Sequence, residues 1–408
     1  MYCKKCGKAL DDAARFCSWC GSPVIALSED DAQEKKDEYA AVEQAVNTGI
    51  QDVGEQTGEQ TEAEAYSENS NGEDLCEPVA EEPIIEEPAF DGSKAKMHFS
   101  RIGWAFSTYA LLITFSSIII LLAIKIFAAD LLVSPDLSVL ISIVSIYGVA
   151  FVVLFLMMRR IEKMPVGEKT RVGVGKWLVY LIIALGVMTM GSFVSTFVEG
   201  IIGIIVRGDA SSEITTLFEE SNPYIVGIYA VFIAPVGEEF IFRKLFIDRT
   251  RKYGGRVAVI LSALAFALMH GNLGQAIPAF GAGLVLGYLY YSTGRLLPCI
   301  LLHSAVNLYS AVSGLVAGDV LEKFAGEISL DAIIEAAPAL LVMTLMALIN
   351  ISCVVLAIVL PIVLRRKIIF DAPRVAIPKG ERFNTVILNV GMIAMLIVYV
   401  AQIILNYI

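Results

Sequence analysis

The sequence predicts an all-α polytopic membrane protein that is preceded by two segments outside the membrane. Of its 408 residues, 56% are hydrophobic, and several apolar runs reach the roughly 20 residues that a helix needs to cross about 30 Å of hydrocarbon. The net charge of -11 is concentrated in residues 28–93, which hold 21 acidic side chains and 2 lysines. Subtracting that local balance of -19 leaves +8, so the membrane part of the chain is basic.

Residues 1–24 contain two C-x-x-C pairs, each followed by a glycine that permits a tight turn. Thiolates at this spacing grip one ion, and four of them complete a tetrahedral zinc site. The spacer of ten residues is shorter than the usual 15 to 20, so the pattern resembles the short zinc ribbons at the N-termini of many bacterial membrane proteins. A redox dithiol pair or disulfides are the alternatives. The predicted ligands of this structural zinc are Cys3, Cys6, Cys17 and Cys20.

A module this small cannot fold on an apolar core alone, so the metal would supply its folding energy. Its few basic side chains make no strong case for nucleic acid, and a protein partner is the alternative role of the ribbon. The acidic linker, residues 25–95, is rich in Glu, Gln, Ser, Thr and Gly with few aromatics. Such a composition predicts a disordered tether or, alternatively, an acidic docking segment.

The membrane domain, residues 96–408, is predicted to contain nine spans. Loops 159–176 and 243–256 carry six Lys or Arg each, whereas 128–136 and 206–222 share one arginine. Because cytoplasmic loops carry the positive excess, we expect a multi-pass cell-membrane protein with a cytoplasmic N-terminus and an outside C-terminus. The predicted spans are about 103–127, 137–158, 177–205, 223–242, 257–270, 275–293, 296–317, 338–364 and 385–407.

Polar groups interrupt three of these apolar spans. They are Glu238 and Glu239 in GEEFIFR, His270 in FALMH, and His303 with Asn307 in HSAVN. Each taken alone has an ordinary explanation, as an interfacial anchor, a helix cap or helix-packing glue. Ionisable groups in a bilayer cost roughly 2.5 to 3.5 kcal/mol on insertion scales and usually mark a functional site. Their joint occurrence therefore favours a site.

The spacing of these residues predicts their partners. Glu239 and Arg243 are four residues apart and share a helix face, whereas Glu238 points about 100° away. We therefore expect Glu239 to hold Arg243 and Glu238 to face a cavity. Phe266 and His270 have the same spacing, so the phenyl ring is expected to pack on the imidazole.

The predicted depths of these groups do not converge. Counting 1.5 Å per residue from the predicted cytoplasmic ends places Glu238 about 7 Å deep, His303 about 12 Å and His270 about 21 Å. Convergence requires either that residues 243–256 continue the helix into the bundle, or that the span of His270 is broken near the glycines that follow it.

The three motifs E-E-x-x-x-R, F-x-x-x-H and H-x-x-x-N, in that order, resemble the signatures of the CAAX protease and bacteriocin-processing family of intramembrane endopeptidases. The resemblance covers roughly residues 175–320, the protease core, and excludes the ribbon and the linker. It implies a helical bundle around an intramembrane cavity that is open to the cytoplasm and the membrane. The implied substrate is a membrane-associated peptide or protein.

The resemblance also implies a role for each residue. Glu238 would be the general base that activates water, assisted by His270, while His303 and Asn307 would stabilise the oxyanion. A glutamate in apolar surroundings can exchange protons near neutral pH, and donors aimed at developing negative charge contribute several kcal/mol. The supporting residues Glu239, Arg243 and Phe266 would shape the site.

Three alternatives remain open on the sequence. Two histidines and a glutamate could instead hold a catalytic divalent metal, as in a zinc-dependent metalloendopeptidase, although no H-E-x-x-H motif is present. The protein could be a non-enzymatic scaffold, sensor or transporter whose polar residues form a relay. It could also be a protease that serves peptide or bacteriocin immunity.

Overall fold

The computed structural model describes residues 90–130, 134–164, 169–206, 221–324 and 329–407, and within these ranges the regular elements are all helices. Seven of the described helices are long and apolar enough to cross a membrane. The predicted fold class, an all-α polytopic membrane protein, is therefore confirmed. The seven are α1 (Gly92–Phe127), α2 (Pro135–Met158), α3 (Val174–Val206), α4 (Pro223–Tyr253), α6 (Leu273–Thr293), α7 (Leu297–Lys323) and α8 (Leu330–Val363).

Two further helical elements differ from the predicted spans. Helix α5, Gly255–Met269, has 15 residues, about 22 Å, which is too short to cross the hydrocarbon alone. The predicted last span is bent by 61° between two helices, α9 (Arg382–Val386, preceded by the 3₁₀ turn Lys379–Glu381) and α10 (Val390–Leu405). The prediction of nine full spans is therefore wrong for the described residues, which hold seven, or eight if the bent pair counts as one. The predicted sides of the termini depended on nine crossings and stay a prediction.

Helix α4 extends much further than the sequence predicted. It begins at Pro223, where the side chain of Asn222 accepts a hydrogen bond from the backbone, and it ends where Gly254 adopts a φ of +120°. Two segments within it, Tyr229–Ile233 and Phe240–Ile247, are π-helical. Segments of this kind often accompany functional sites, and these two flank the glutamate pair.

The predicted end of α4 at residue 242 is wrong because the two cations that follow it are paired with carboxylates of the same helix. Arg243 pairs with Glu239, and Lys244 pairs with Asp248 at 2.8 Å. Positive charge that reads as a loop in the sequence thus belongs to a continuous helix. Residues 243–253 thus continue the helix, which is the first of the two arrangements that would bring the polar groups to a similar depth.

The longer helix resolves the predicted mismatch in depth between Glu238 and His270. Glu238 lies 15 residues before Tyr253, about 22 Å along α4, and His270 follows α5 at about 22 Å from Gly255. Both groups therefore lie at a similar distance from the turn that joins the two helices. Glu238 was predicted at too shallow a depth because α4 was predicted to end too early.

An aromatic core fixes α1, α4 and α5 together beneath the polar groups. The ring of Phe106 in α1 lies 5.7 Å from Phe242 and 5.2 Å from Phe246, both in α4. Phe242 in turn contacts Phe266 of α5, with ring centroids 5.3 Å apart. Large buried rings of this kind supply much of the packing energy of a core, so the two helices that carry Glu239 and His270 are held in register.

Candidate active site

The buried ion pair of Glu239 and Arg243 forms the centre of the polar cluster. Both side chains are fully buried, and Arg243 Nε donates to Glu239 Oε2 at 2.9 Å while Nη2 donates to Oε1 at 3.3 Å. This contact confirms the pairing expected from the four-residue spacing. A buried pair is retained only when its geometry is good and its remaining hydrogen bonds are satisfied.

Ser262 completes the hydrogen bonding of Arg243 from α5. Arg243 Nη1 donates to Ser262 Oγ at 2.9 Å, and Ser262 Oγ donates to the Phe242 carbonyl at 2.7 Å. The guanidinium carbon also lies 5.1 Å from the centre of the Phe266 ring. The sequence analysis missed Ser262, although its position four residues before Phe266 places it on the same face of α5.

His303 lies between the two glutamates. Its Nδ1 is 3.0 Å from Glu239 Oε1, and its Nε2 is 3.7 Å from Glu238 Oε2. Because Arg243 binds both oxygens of Glu239 as a carboxylate, we assign the Nδ1 proton to His303 as the donor to that carboxylate. Nε2 then faces Glu238 at a distance beyond direct hydrogen bonding.

The adjacent glutamates therefore have different surroundings. Glu239 is held by Arg243 and His303, whereas Glu238 faces the His303 imidazole at 3.7 Å. The side chain of Glu238 is 12% exposed, compared with 0% for Glu239. The expected division, with one glutamate anchored and the other facing open space, agrees with this geometry.

His270 presents one ring nitrogen to the site. Its Nδ1 lies 2.9 Å from the Phe266 carbonyl, so Nδ1 carries the proton and Nε2 has a free lone pair. The Phe266 ring meets His270 edge-on at 5.0 Å, which confirms the predicted packing of these residues. The same ring meets His303 edge-on at 5.6 Å. The Phe266 ring therefore contacts both imidazoles.

Asn307 connects α7 to the first π-helical segment of α4. Its Nδ2 donates to the Ala230 carbonyl at 2.8 Å. One of the two amide hydrogens is therefore used in the fold, and the other remains as a donor. The sequence predicted that Asn307 shares a helix face with His303 but could not predict this contact with α4.

Three tyrosines lie near Glu238 that were not among the predicted site residues. The Tyr147 ring occupies the space that a side chain at Gly237 would need. The hydroxyls of Tyr109, Tyr147 and Tyr229 all lie within electrostatic reach of the Glu238 carboxylate. The Tyr109 hydroxyl is buried and has no hydrogen-bond partner among the described residues. Gly237, next to the glutamate pair, is the only signal in the sequence that pointed to a close neighbour here.

The predicted metal alternatives have different outcomes. Within the described part of the chain, no three His, Cys, Asp or Glu side chains are grouped as ligands of one ion, so Glu238, His270 and His303 do not fit a metal site as they are placed. The four cysteines of the predicted ribbon lie outside the described residues.

These features define a class: a multi-pass helical membrane protein with a polar cluster of two glutamates, an arginine and two histidines, of which Glu239, Arg243 and His303 are buried. Comparison with known families makes this class more specific. Residues 220–309 match the family model described as Type II CAAX prenyl endopeptidase Rce1-like, and residues 2–24 match a zinc-ribbon domain. No curated protein and no solved structure matches the chain significantly.

The first match covers less than a quarter of the chain but contains all the residues of the polar cluster. It confirms the family resemblance that the three motifs predicted, and it supports an intramembrane endopeptidase. The second match coincides with the predicted ribbon and agrees with a structural zinc site there.

Proposed function

We propose that this protein is an intramembrane endopeptidase in which Glu238 activates a water molecule for attack on a peptide bond. The observation that carries the proposal is the position of His303, which contacts the anchored Glu239 with one nitrogen and faces Glu238 with the other. A base needs a defined position and an exposed oxygen. Glu239 fixes the imidazole that faces Glu238, which defines the position of the base, and the Glu238 side chain is 12% exposed.

The reaction needs one base and donors for the oxyanion. Glu238 takes a proton from water, and the hydroxide oxygen attacks the scissile carbonyl carbon. The negative charge that develops on the carbonyl oxygen is stabilised by His303 Nε2–H, when protonated, and by the second amide hydrogen of Asn307. The carbon–nitrogen bond then breaks, and the nitrogen takes the proton from Glu238. His270, through its free Nε2, assists the proton transfer.

Glu239, Arg243, Ser262 and Phe266 have a positioning role in this proposal. Each is buried and engaged in contacts within the protein. Their removal should disturb the site by moving His303 and not by removing a reacting group. The match to a CAAX prenyl endopeptidase family supports a membrane-associated protein or peptide as the substrate.

A proton relay is the second candidate. Glu239, His303 and Glu238 form a short chain of titratable groups inside a membrane domain, as intramembrane relays do. A relay in a transporter or sensor would also use these groups, but it would not cleave peptides. The proposed ribbon, with Cys3, Cys6, Cys17 and Cys20 on a structural zinc, could serve a protein partner in either case.

Cleavage of a fluorogenic peptide library by the full-length protein in lipid nanodiscs tests the proposal. We expect activity in the wild type and in Glu322→Gln, a control at an exposed position of α7, and a loss of about 10²- to 10⁴-fold in Glu238→Gln. Equal cleavage by wild type and Glu238→Gln would contradict the assignment of the base. Proton flux through liposomes without cleavage of any peptide would favour the relay.

Chelation separates the metal-free mechanism from a metal-dependent one. A strong chelator also removes zinc from the ribbon, so the variant Cys3→Ser/Cys6→Ser serves as the control. We expect wild type and variant to retain the same fraction of activity with chelator. Loss in both, restored by added zinc, would show that a metal acts at the catalytic centre and would contradict the metal-free proposal.

A further inference from the structure

A pocket of about 810 Å³ lies between α3, α4 and the loop that leads into α7. Its apolar walls include Trp177 at the start of α3, Phe240 in α4 and Leu301 in α7. The indole nitrogen of Trp177 donates to the Pro298 carbonyl at 3.1 Å, which fixes the wall of the pocket to the first turn of α7. The pocket is separate from the polar cluster, whose residues do not line it.

The charged residues that line the pocket are all cations. They are Lys169, Lys244 and Arg295, and none of the described lining residues is a carboxylate. Lys244 pairs with Asp248 at 2.8 Å, whereas Lys169 and Arg295 form no ion pair with a described residue. Within the described part of the chain, these two positive charges therefore have no paired carboxylate.

The pocket lies where helices begin and end. Helices α3 and α7 start at it, and α6 ends beside it at Gly294, which has a φ of +63°. The N-terminus of α7 has no side-chain cap, so its partial positive charge adds to that of the cations. Helix ends of spanning segments lie at the level of the lipid head groups, where tryptophan is also enriched.

We propose that this pocket binds an anionic phospholipid, with its phosphate-bearing head group at Lys169 and Arg295 and an acyl chain along Trp177, Phe240 and Leu301. Basic pockets between membrane helices bind anionic head groups, and the apolar walls match the chain that a phospholipid carries. Phe240 directly follows Glu239, and Leu301 lies two residues before His303. The bound lipid would therefore contact α4, which carries both glutamates, and α7, which carries His303. The proposal does not depend on the proposed protease activity.

The fluorescence of Trp177 provides the test. In the full-length variant Trp19→Phe/Trp104→Phe, Trp177 is the remaining tryptophan. Nanodiscs of phosphatidylcholine are doped with a low fraction of brominated phosphatidylglycerol or brominated phosphatidylcholine, and quenching of Trp177 is compared. We expect the anionic lipid to quench at a several-fold lower mole fraction. In Lys169→Gln/Arg295→Gln this preference should fall by about fivefold for each cation removed.

The variant Arg365→Gln/Arg366→Gln is the matched control, because it removes two exposed cations at the end of α8 that do not line the pocket. It should keep the preference. Equal quenching by the two lipids, or an equal loss in both double variants, would overturn the proposal. A preference that inorganic phosphate abolishes at millimolar concentration would show a phosphate site and would overturn the assignment to a lipid.

Discussion

The glutamate-bearing region and helix α8 place their polar groups in opposite ways. In the most apolar 18-residue windows, 39% of α4 and 50% of α6 are buried within the protein, compared with 11% of α8. Arg243, Glu239 and Ser262 are fully buried and bonded to one another through Arg243, whereas Ser352 in α8 is exposed and bonds to the carbonyl of its own helix. In a bilayer, a polar group without partners is costly, so a chain keeps ionisable groups only where its own helices cover them. The covered region is therefore where the function is expected.

Removal of the buried arginine should have the largest effect on stability. We expect Arg243→Met to lower the free energy of unfolding by about 3–5 kcal/mol, because it leaves Glu239 as an uncompensated buried charge. Arg366→Gln, at the exposed end of α8, should change it by less than about 0.5 kcal/mol. Thermal unfolding in detergent measures both. Recovery of stability in the double variant Glu239→Gln/Arg243→Met would identify the lone charge as the cause, and no recovery would contradict this reason.

Gly237 tests the contact of Tyr147 with the glutamate turn. We expect Gly237→Ala to lower the stability by about 1–3 kcal/mol and to reduce peptide cleavage, because its methyl group overlaps the Tyr147 ring. Gly227→Ala is the control on the same helix, since no atom lies within 4 Å of the added carbon. Unfolding and cleavage should be unchanged or slightly improved in the control. Equal behaviour of the two variants would show that the ring does not hold this position.

Ser262 compares a buried hydroxyl with an exposed one. Ser262→Ala should lower the free energy of unfolding by about 1–3 kcal/mol, because one N–H of Arg243 loses its acceptor inside the protein. Ser352→Ala in α8 should be close to neutral. Chemical denaturation of both variants gives the difference, and a neutral Ser262→Ala would mean that Arg243 finds another acceptor.

The smallest effect is expected at the ion pair between Glu162, which is exposed in the loop after α2, and Lys252 at the end of α4. The hydrogen bond and charge of Lys252 lower the pKa of Glu162 below its usual 4.5. The pair therefore contributes stability above that pH, and the contribution is lost as the pH falls through the lowered pKa. Glu162→Gln should cost about 0 to 1 kcal/mol at pH 7, and the difference from wild type should disappear in acid. A difference that grows in acid would contradict the sign.

The sequence predicted contacts within one helix better than contacts between helices. Glu239 with Arg243 and Phe266 with His270 follow from a four-residue spacing, and both were predicted. The position of His303 between the two glutamates depends on how α7 packs on α4, and no spacing reveals it.

The errors in the predicted spans have the same origin. Lys244 reads as a loop residue until Asp248 is known as its partner, so the predicted end of α4 came too early. Helix α5 resembles a span in composition, but its length falls short of the bilayer. Ser262 could have been found, because it continues the four-residue series of Phe266 and His270.

The most direct test compares the two adjacent glutamates in one experiment. Glu238→Gln and Glu239→Gln are purified in full-length form, and thermal unfolding and peptide cleavage are measured on the same samples. We predict that Glu238→Gln unfolds as the wild type does and loses about 10²- to 10⁴-fold in cleavage, while Glu239→Gln is destabilised by several kcal/mol because it leaves Arg243 unpaired. A stable Glu239→Gln together with an active Glu238→Gln would contradict the division of roles between the anchored glutamate and the reacting one.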